Sequence, residues 1–317
     1  MSREIRRIAM TGPTGAIGMA IIQKCIEDKI ELILITRAES PRNVNIPKSE
    51  YITIIYADIS EYDKINVEVL NVKGSKSVDA FIHLAWSGTI GNGRNDMELQ
   101  TNNIRCTLSA VRLAHRMGCK VFLGAGSQAE YGRVEGCLSA DTPTFPETGY
   151  GMAKLCAGQM SRDLCEQLGI EHIWARVLSI YGPYDGENTM VTSAIRGFLN
   201  GEETFFTAGE QKWDYLFSED AADIIVRLLQ NGRSGQIYCV GSGKYRELKE
   251  YIKDIYREVY GKDGTEEKIG LGKREYAPNQ VMFLCADISE LEKGIGTIVL
   301  TPFSEGIRKT VEWYKNR

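Results

Sequence analysis

Three residues of this chain are spaced to move a proton: Ser127, Tyr150 and Lys154. Tyr150-Gly-Met-Ala-Lys154 sets a phenol and an ammonium four positions apart. On a helix that spacing puts both on one face, one turn apart. A free phenol, with a pKa of about 10, is a poor base at neutral pH. A nearby ammonium, or an oxidised nicotinamide ring, favours its ionised form. The tyrosine can then take a proton from a hydroxyl, or give one to a carbonyl oxygen as hydride arrives. Ser127 closes the apolar run that starts at Lys120. At the carboxyl edge of a parallel sheet its hydroxyl would hold the same substrate oxygen. A Tyr-x-x-x-Lys pair also occurs on solvated helix faces, so the surroundings decide.

Hydride chemistry needs a dinucleotide, and Thr11-Gly12-Pro13-Thr14-Gly15-Ala16-Ile17-Gly18 reads as its phosphate cradle. A short apolar segment, 5–10, precedes it as a strand. Residues 19–26 follow with apolar side chains at helical spacing. Glycines permit a sharp turn and close approach of a pyrophosphate. The free amides and positive dipole end of the following helix then face that anion. The spacing is Gly-x-x-Gly-x-x-Gly rather than Gly-x-Gly-x-x-Gly, and an ordinary strand-to-helix turn is the competing reading. An acid at the end of the second strand would pair with a free ribose 2′-hydroxyl, whereas an arginine suits a 2′-phosphate. Here Arg37 holds that position, with Ser40 and Arg42 beyond. NADP is therefore expected ahead of NAD. Asp58, followed by Ile59, ends the third strand, where it can accept a bond from an adenine amino group.

The elements that position these groups alternate. Strands are expected at 31–36, 51–56, 78–85, 120–125 and 172–178, and helices at 97–117 and 150–168, each closed by a glycine. Such alternation implies an α/β fold with a doubly wound parallel sheet, covered on both faces. After residue 183 the rhythm breaks. Helices are expected at 190–199, 220–229, 247–260 and 304–315, a strand at 236–240, and an irregular stretch between the last two helices. The expected organisation is a dinucleotide domain over 1–180, with 216–241 returning to it. Residues 181–215 and 242–317 form a smaller, mostly helical substrate part, with the substrate in the cleft between.

A net charge of −4 lacks the basic excess of a nucleic-acid binder. No apolar run reaches membrane-spanning length. The first residues lack a signal-peptide core, so a cytoplasmic location is expected. The eight cysteines contain no C-x-x-C pair and read as reduced thiols. The three histidines lack metal-ligand spacing, and no metal is expected.

Taken together, the glycine loop, Asp58, His83-Leu84-Ala85, Asn103-Ile-x-x-Thr107, Ser127, Tyr131-Gly132, Tyr150-x-x-x-Lys154, Arg176, Tyr181-Gly-Pro183 and Asp214-Tyr-Leu-Phe-x-x-Asp220 resemble an extended short-chain dehydrogenase/reductase. The resemblance is to the NAD-dependent epimerase/dehydratase family, which acts on nucleotide sugars, and it spans essentially the whole chain. It implies a Rossmann-type sheet, a nucleotide-sugar site in the C-terminal part and a homodimer built from the helices near 97–117 and 150–168. It also implies a second bond from Lys154 to the nicotinamide ribose, and places Leu84, Ala85 and Asn103 near the cofactor.

The resemblance also separates branches. Dehydratases of the family carry an Asp-Glu pair after the catalytic Ser or Thr; Gln128 and Ala129 stand there instead. Gln128 also replaces the cysteine of enzymes that epimerise beside a ketone. A reductase of a nucleotide-linked 4-keto-6-deoxy sugar is expected first. The alternatives are an NAD-retaining 4-epimerase and a non-catalytic cofactor-binding regulator. Trp213 stands where the family usually has a diphosphate-binding arginine, leaving Arg196 or Arg274 for that task. Ser179 stands where an asparagine is common. Trp86, Gln128 and Glu130 are expected to face the sugar, and Trp213 either stacks on the base or packs.

Overall fold

A computed structural model describes residues 2–67, 77–261 and 269–317. Seven strands build the central sheet: β1 (Arg7–Thr11), β2 (Glu31–Thr36), β3 (Ile52–Tyr56), β4 (Ala80–His83), β5 (Val121–Ser127), β6 (Glu171–Val177) and, from much later in the chain, β10 (Ile237–Val240). Every pairing is parallel, in the order β3-β2-β1-β4-β5-β6-β10. The α/β, Rossmann-type expectation holds. The inner strands are buried on both faces, which is why they read as unbroken apolar runs. Chain order reverses between β1 and β4, and a crevice opens there at the carboxyl ends of the strands.

Helices α1 (Ala16–Glu27) and α5 (Ser218–Asn231) cover one face, around Ile21, Ile22, Ile225 and Leu229. Helices α2 (Met97–Arg116) and α3 (Gly149–Gln167) cover the other, around Phe81, Val111 and Phe122. Asp96 starts α2 by accepting from the Leu99 amide, and Thr148 starts α3 by accepting from the Gly151 amide. Thr148 thereby fixes where Tyr150 begins the helix.

The C-terminal part packs α4 (Met190–Leu199), α6 (Leu248–Tyr260) and α8 (Phe303–Lys315) around Phe198, Ile252, Tyr256 and Ile307. Short strands tie it down. β7 (Ser179–Tyr181) pairs with β9 (Tyr215–Phe217), and β8 (Lys212–Trp213) lies between β11 (Arg246–Glu247) and β12 (Phe283–Leu284). The expected irregular stretch between α6 and α8 also contains α7 (Ser289–Ile295). Strands of two or three residues have no periodicity to read; long-range pairing creates them. Asp214, fully buried between β8 and β9, accepts from the amides of Ser242, Gly243 and Ala286 and from the Ser242 hydroxyl.

Candidate active site

The three glycines of the first loop do three different jobs. Gly12 has φ +69°, and a Cβ there would sit 2.7 Å from the Ala85 amide nitrogen. It lets the loop cross the end of β4. A Cβ on Gly18 would meet the Pro13 carbonyl oxygen at 2.6 Å, so its task is packing the helix on the loop. Beside Gly15 there is open space. Gly15 is also the N-cap of α1, with no side-chain cap and no acid in the first turn. The amides of Ala16, Ile17 and Gly18 are thus left for an anion.

A cavity of about 460 Å³ lies over this loop. Gly12, Thr14 and Gly15 line it, as do Arg37, Ser40 and Arg42 after β2, Asp58 and Ile59 after β3, and Leu84 and Ala85 after β4. Glu39, in the same loop as Arg37, is exposed and outside the lining. The Asp58 carboxylate is held below its ordinary value, first by the Ser60 amide, then by the Ser60 hydroxyl, with Arg37 adding to the effect. Phosphate-facing amides, two arginines and a strand-end carboxylate fit a dinucleotide. The floor is braced from behind. His83, buried and neutral, with a pKa pushed down by burial to about 3, bonds both Thr11 and Thr107. Asn103 stands behind the cavity, clamping both the amide and the carbonyl of Ser87.

Ser127, Tyr150 and Lys154 meet where β5 ends. Ser127 Oγ accepts from the Ala129 amide at 3.2 Å and lies near enough to the Tyr150 hydroxyl to influence its ionisation. Burial raises the Tyr150 pKa; the Ser127 hydroxyl and the charge of Arg94 pull it back. Lys154 differs from the expectation. Its ammonium donates to the Ala125 carbonyl at 2.6 Å and lies 3.8 Å from the centre of the Trp86 ring, but 5.9 Å from that of Tyr150. Burial drives its pKa down to about 7.

Of the residues expected at the sugar, Trp86 lies beside Tyr150 and Glu130 is enclosed. Trp86 lines the cofactor cavity, donates to Gln100 at 2.9 Å and meets Tyr150 edge-on. Glu130 is fully buried beneath Ser127. It accepts from the Ser127 amide at 2.8 Å, from Trp174 at 3.0 Å and from Arg176 at 2.7 Å. A carboxylate so enclosed must be paired, and it is. Gln128, half-buried, follows Ser127 in the turn and has no part in the lining of this cavity.

A second cavity, about 370 Å³, lies in the C-terminal part. Arg274 and Trp213 line it, with Phe205, Phe206, Gln211 and Tyr276. Trp213 donates to Ser179 Oγ at 2.7 Å, so the two departures from the family pattern are one hydrogen-bonded pair. Arg196 is not in this lining; it lies on α4 facing Glu187 at 3.5 Å. Sequence reasoning missed Arg94, Thr207, Gln211 and Tyr276. They lie outside any motif, and only the tertiary fold gathers them. Among the described residues no cluster of His, Cys, Asp or Glu could hold a metal ion, and no helix is long and apolar enough to cross a membrane.

Comparison with known proteins agrees with this geometry. A putative UDP-glucose 4-epimerase of Methanocaldococcus jannaschii is 26% identical over 98% of both chains. Among solved structures, a UDP-N-acetylglucosamine 4-epimerase from Methanobrevibacter ruminantium shares the fold with a TM-score of 0.86, at 22% identity over 99% of both chains. A dTDP-glucose 4,6-dehydratase from Streptomyces venezuelae, determined with NAD bound, has a TM-score of 0.81 at 18% identity, over 98% of this chain and 97% of its own. The family model described as "NAD dependent epimerase/dehydratase family" matches residues 8–241, and the chain belongs to that family of enzymes.

Proposed function

We propose that the chain reduces a nucleotide-linked 4-keto-6-deoxy sugar with NADPH. The observation that carries this reading is the loop after β2. It brings Arg37, Ser40 and Arg42 to the cofactor cavity and no carboxylate. That composition suits a 2′-phosphate and a cofactor that comes and goes. The turn after Ser127 supports it. Its one carboxylate, Glu130, is committed to Arg176, Trp174 and the Ser127 amide, leaving none free for eliminating water.

The bound dinucleotide supplies hydride. The chain's own residues do the rest. Ser127 holds the C4 oxygen, Tyr150 donates its phenolic proton to that oxygen, and Lys154 fixes the surface against which the cofactor ribose lies. Trp213, Tyr276 and Arg274 supply aromatic faces and a cation for the nucleoside diphosphate. Two protomers pair through α2 and α3, where Met97, Met152 and Met160 are exposed.

A second reading, the 4-epimerase, is favoured by the likeness in fold to the Methanobrevibacter enzyme. One assay separates the two. A reductase consumes NADPH in proportion to the 4-keto sugar supplied; an epimerase interconverts UDP-sugars with no net change at 340 nm. Tyr150→Phe should lower turnover by roughly 10²–10⁴-fold under either reading. Full activity in that variant would discard the mechanism.

A further inference from the structure

The ammonium at Lys154 was the expected charge partner of the Tyr150 phenol, yet the structure sets a different cation against it. The Arg94 guanidinium carbon lies 4.6 Å from the centre of the Tyr150 ring. Lys154 is farther, at 5.9 Å, and its ammonium is already engaged by the Ala125 carbonyl and the Trp86 face. A guanidinium stays charged at every pH the protein meets. A buried lysine, whose pKa burial pushes down to about 7, holds its charge less firmly.

Arg94 is held in place. It sits in the 3₁₀ turn Gly91–Asn95, just before α2, and donates from Nη1 to the Thr89 carbonyl at 2.9 Å. The turn is docked on the start of α3: Asn95 Oδ1 accepts from the Gly149 amide at 3.0 Å. Gly149 has no side chain, and a Cβ there would come within 3.1 Å of the Arg94 carbonyl oxygen. The residue beside Tyr150 is therefore a glycine that lets the arginine turn sit close.

We infer that Arg94 is a positioning residue for proton transfer, acting through Tyr150: its fixed positive charge against the ring stabilises the phenolate and so sets the pH range in which Tyr150 exchanges its proton. This rests on the reading of Tyr150 as acid/base. The other groups facing the phenol are few. Glu130, from the turn after β5, opposes ionisation; the Ser127 hydroxyl supports it. Lys154, one turn along α3, has its ammonium 5.9 Å from the centre of the Tyr150 ring and 3.8 Å from that of Trp86. Glu130 is itself tied to Arg176, whereas Arg94, among the described residues, forms no ion pair.

The test replaces Tyr150 with 3,5-difluorotyrosine, a more acidic phenol that titrates where the protein is folded. Its ionisation is followed by absorbance with Arg94, Arg94→Lys and Arg94→Met. Loss of the charge should raise the apparent pKa by roughly one pH unit or more, with Arg94→Lys between. With native Tyr150, the alkaline limb of the rate of sugar reduction should move upward with it, while KM for the nucleotide sugar stays unchanged. An unmoved titration in Arg94→Met overturns the inference. So does a raised KM with an unmoved titration, which would make Arg94 a substrate ligand. Should Arg94→Met fail to fold, Arg94→Gln, which also removes the charge, decides: a raised pKa supports the inference and an unmoved one overturns it. A shifted titration in a protein whose Tyr150→Phe variant keeps full turnover would sink the acid/base reading and leave the electrostatic inference standing.

Discussion

The two cavities differ in what they offer a phosphate. The cofactor cavity offers backbone: amides of α1, a cap with no side chain and glycines chosen for what they leave out. The C-terminal cavity offers side chains: Trp213, Tyr276, Gln211 and Arg274, drawn from separate loops and strands. Backbone recognition is stiff, because the donors are part of the fold. Side-chain recognition is adjustable, because one residue can change without moving the chain. The first suits an invariant pyrophosphate, the second a nucleotide sugar whose base and sugar differ among relatives.

This difference predicts unequal costs. Gly12→Ala forces a Cβ to 2.7 Å from the Ala85 amide, at a backbone φ of +69° that alanine rarely adopts. Strain of about 1–3 kcal/mol plus that clash should weaken dinucleotide binding by roughly 100-fold. Isothermal titration checks it, with circular dichroism to confirm that the sheet persists. Binding within threefold of wild type would show that the loop has slack and erase the contrast. Arg274→Ala should cost less. Arg274 is exposed, and loss of one rim cation should raise KM for the nucleotide sugar about tenfold while leaving cofactor affinity unchanged. A change in cofactor affinity instead would mean that the two cavities do not act separately.

The same difference explains what could be read from the sequence. The glycine loop was legible because its chemistry is local: strand, turn and helix start lie within one run, and Gly12 and Gly18 each answer a backbone constraint. Tyr150 and Lys154 were legible because helical spacing fixes their relation. What packs on them was not: Trp86, which faces the Lys154 ammonium, and Arg94, which faces the Tyr150 ring, come from the stretch between β4 and α2 with no periodicity. Glu130 was misread for a related reason. A carboxylate three residues beyond the catalytic serine reads as a polar group facing substrate. Only the sheet reveals Arg176 and Trp174 on β6 waiting beneath it. The C-terminal cavity was least legible, because pairings such as β8 with β11 and β12 join residues far apart in the chain.

A salt-dependent effect separates the two ends of the cofactor cavity itself. Arg37 is exposed at the rim, so in the proposed NADPH complex it would act on the 2′-phosphate as a partly screened charge. Arg37→Ala should raise KM for NADPH about tenfold at low ionic strength, less at high salt, and leave NADH unaffected. Equal losses for both cofactors would move Arg37 from the 2′-position to a general structural role and remove the argument for NADP.

The smallest effect is a slope rather than a loss, and it sets the cation buried against Trp86 of the first cavity against the exposed one of the second. Burial lowers the Lys154 pKa from its ordinary 10.5 to about 7. Between those values the unfolded chain holds a proton that the folded chain has released. Stability therefore rises with pH through that window, because the unfolded state binds more protons there. Below about pH 7 both states are protonated, and the cost of the buried charge is fully present. Thermal melts of the cofactor-free protein at about pH 7 and about pH 9.5 should thus show wild type gaining on Lys154→Met as pH rises. Arg274→Ala, on an exposed rim, should track wild type at both. A Lys154→Met variant whose difference from wild type does not change with pH would mean that the ammonium stays charged in the fold. Lys154 could then share with Arg94 the stabilisation of the Tyr150 phenolate.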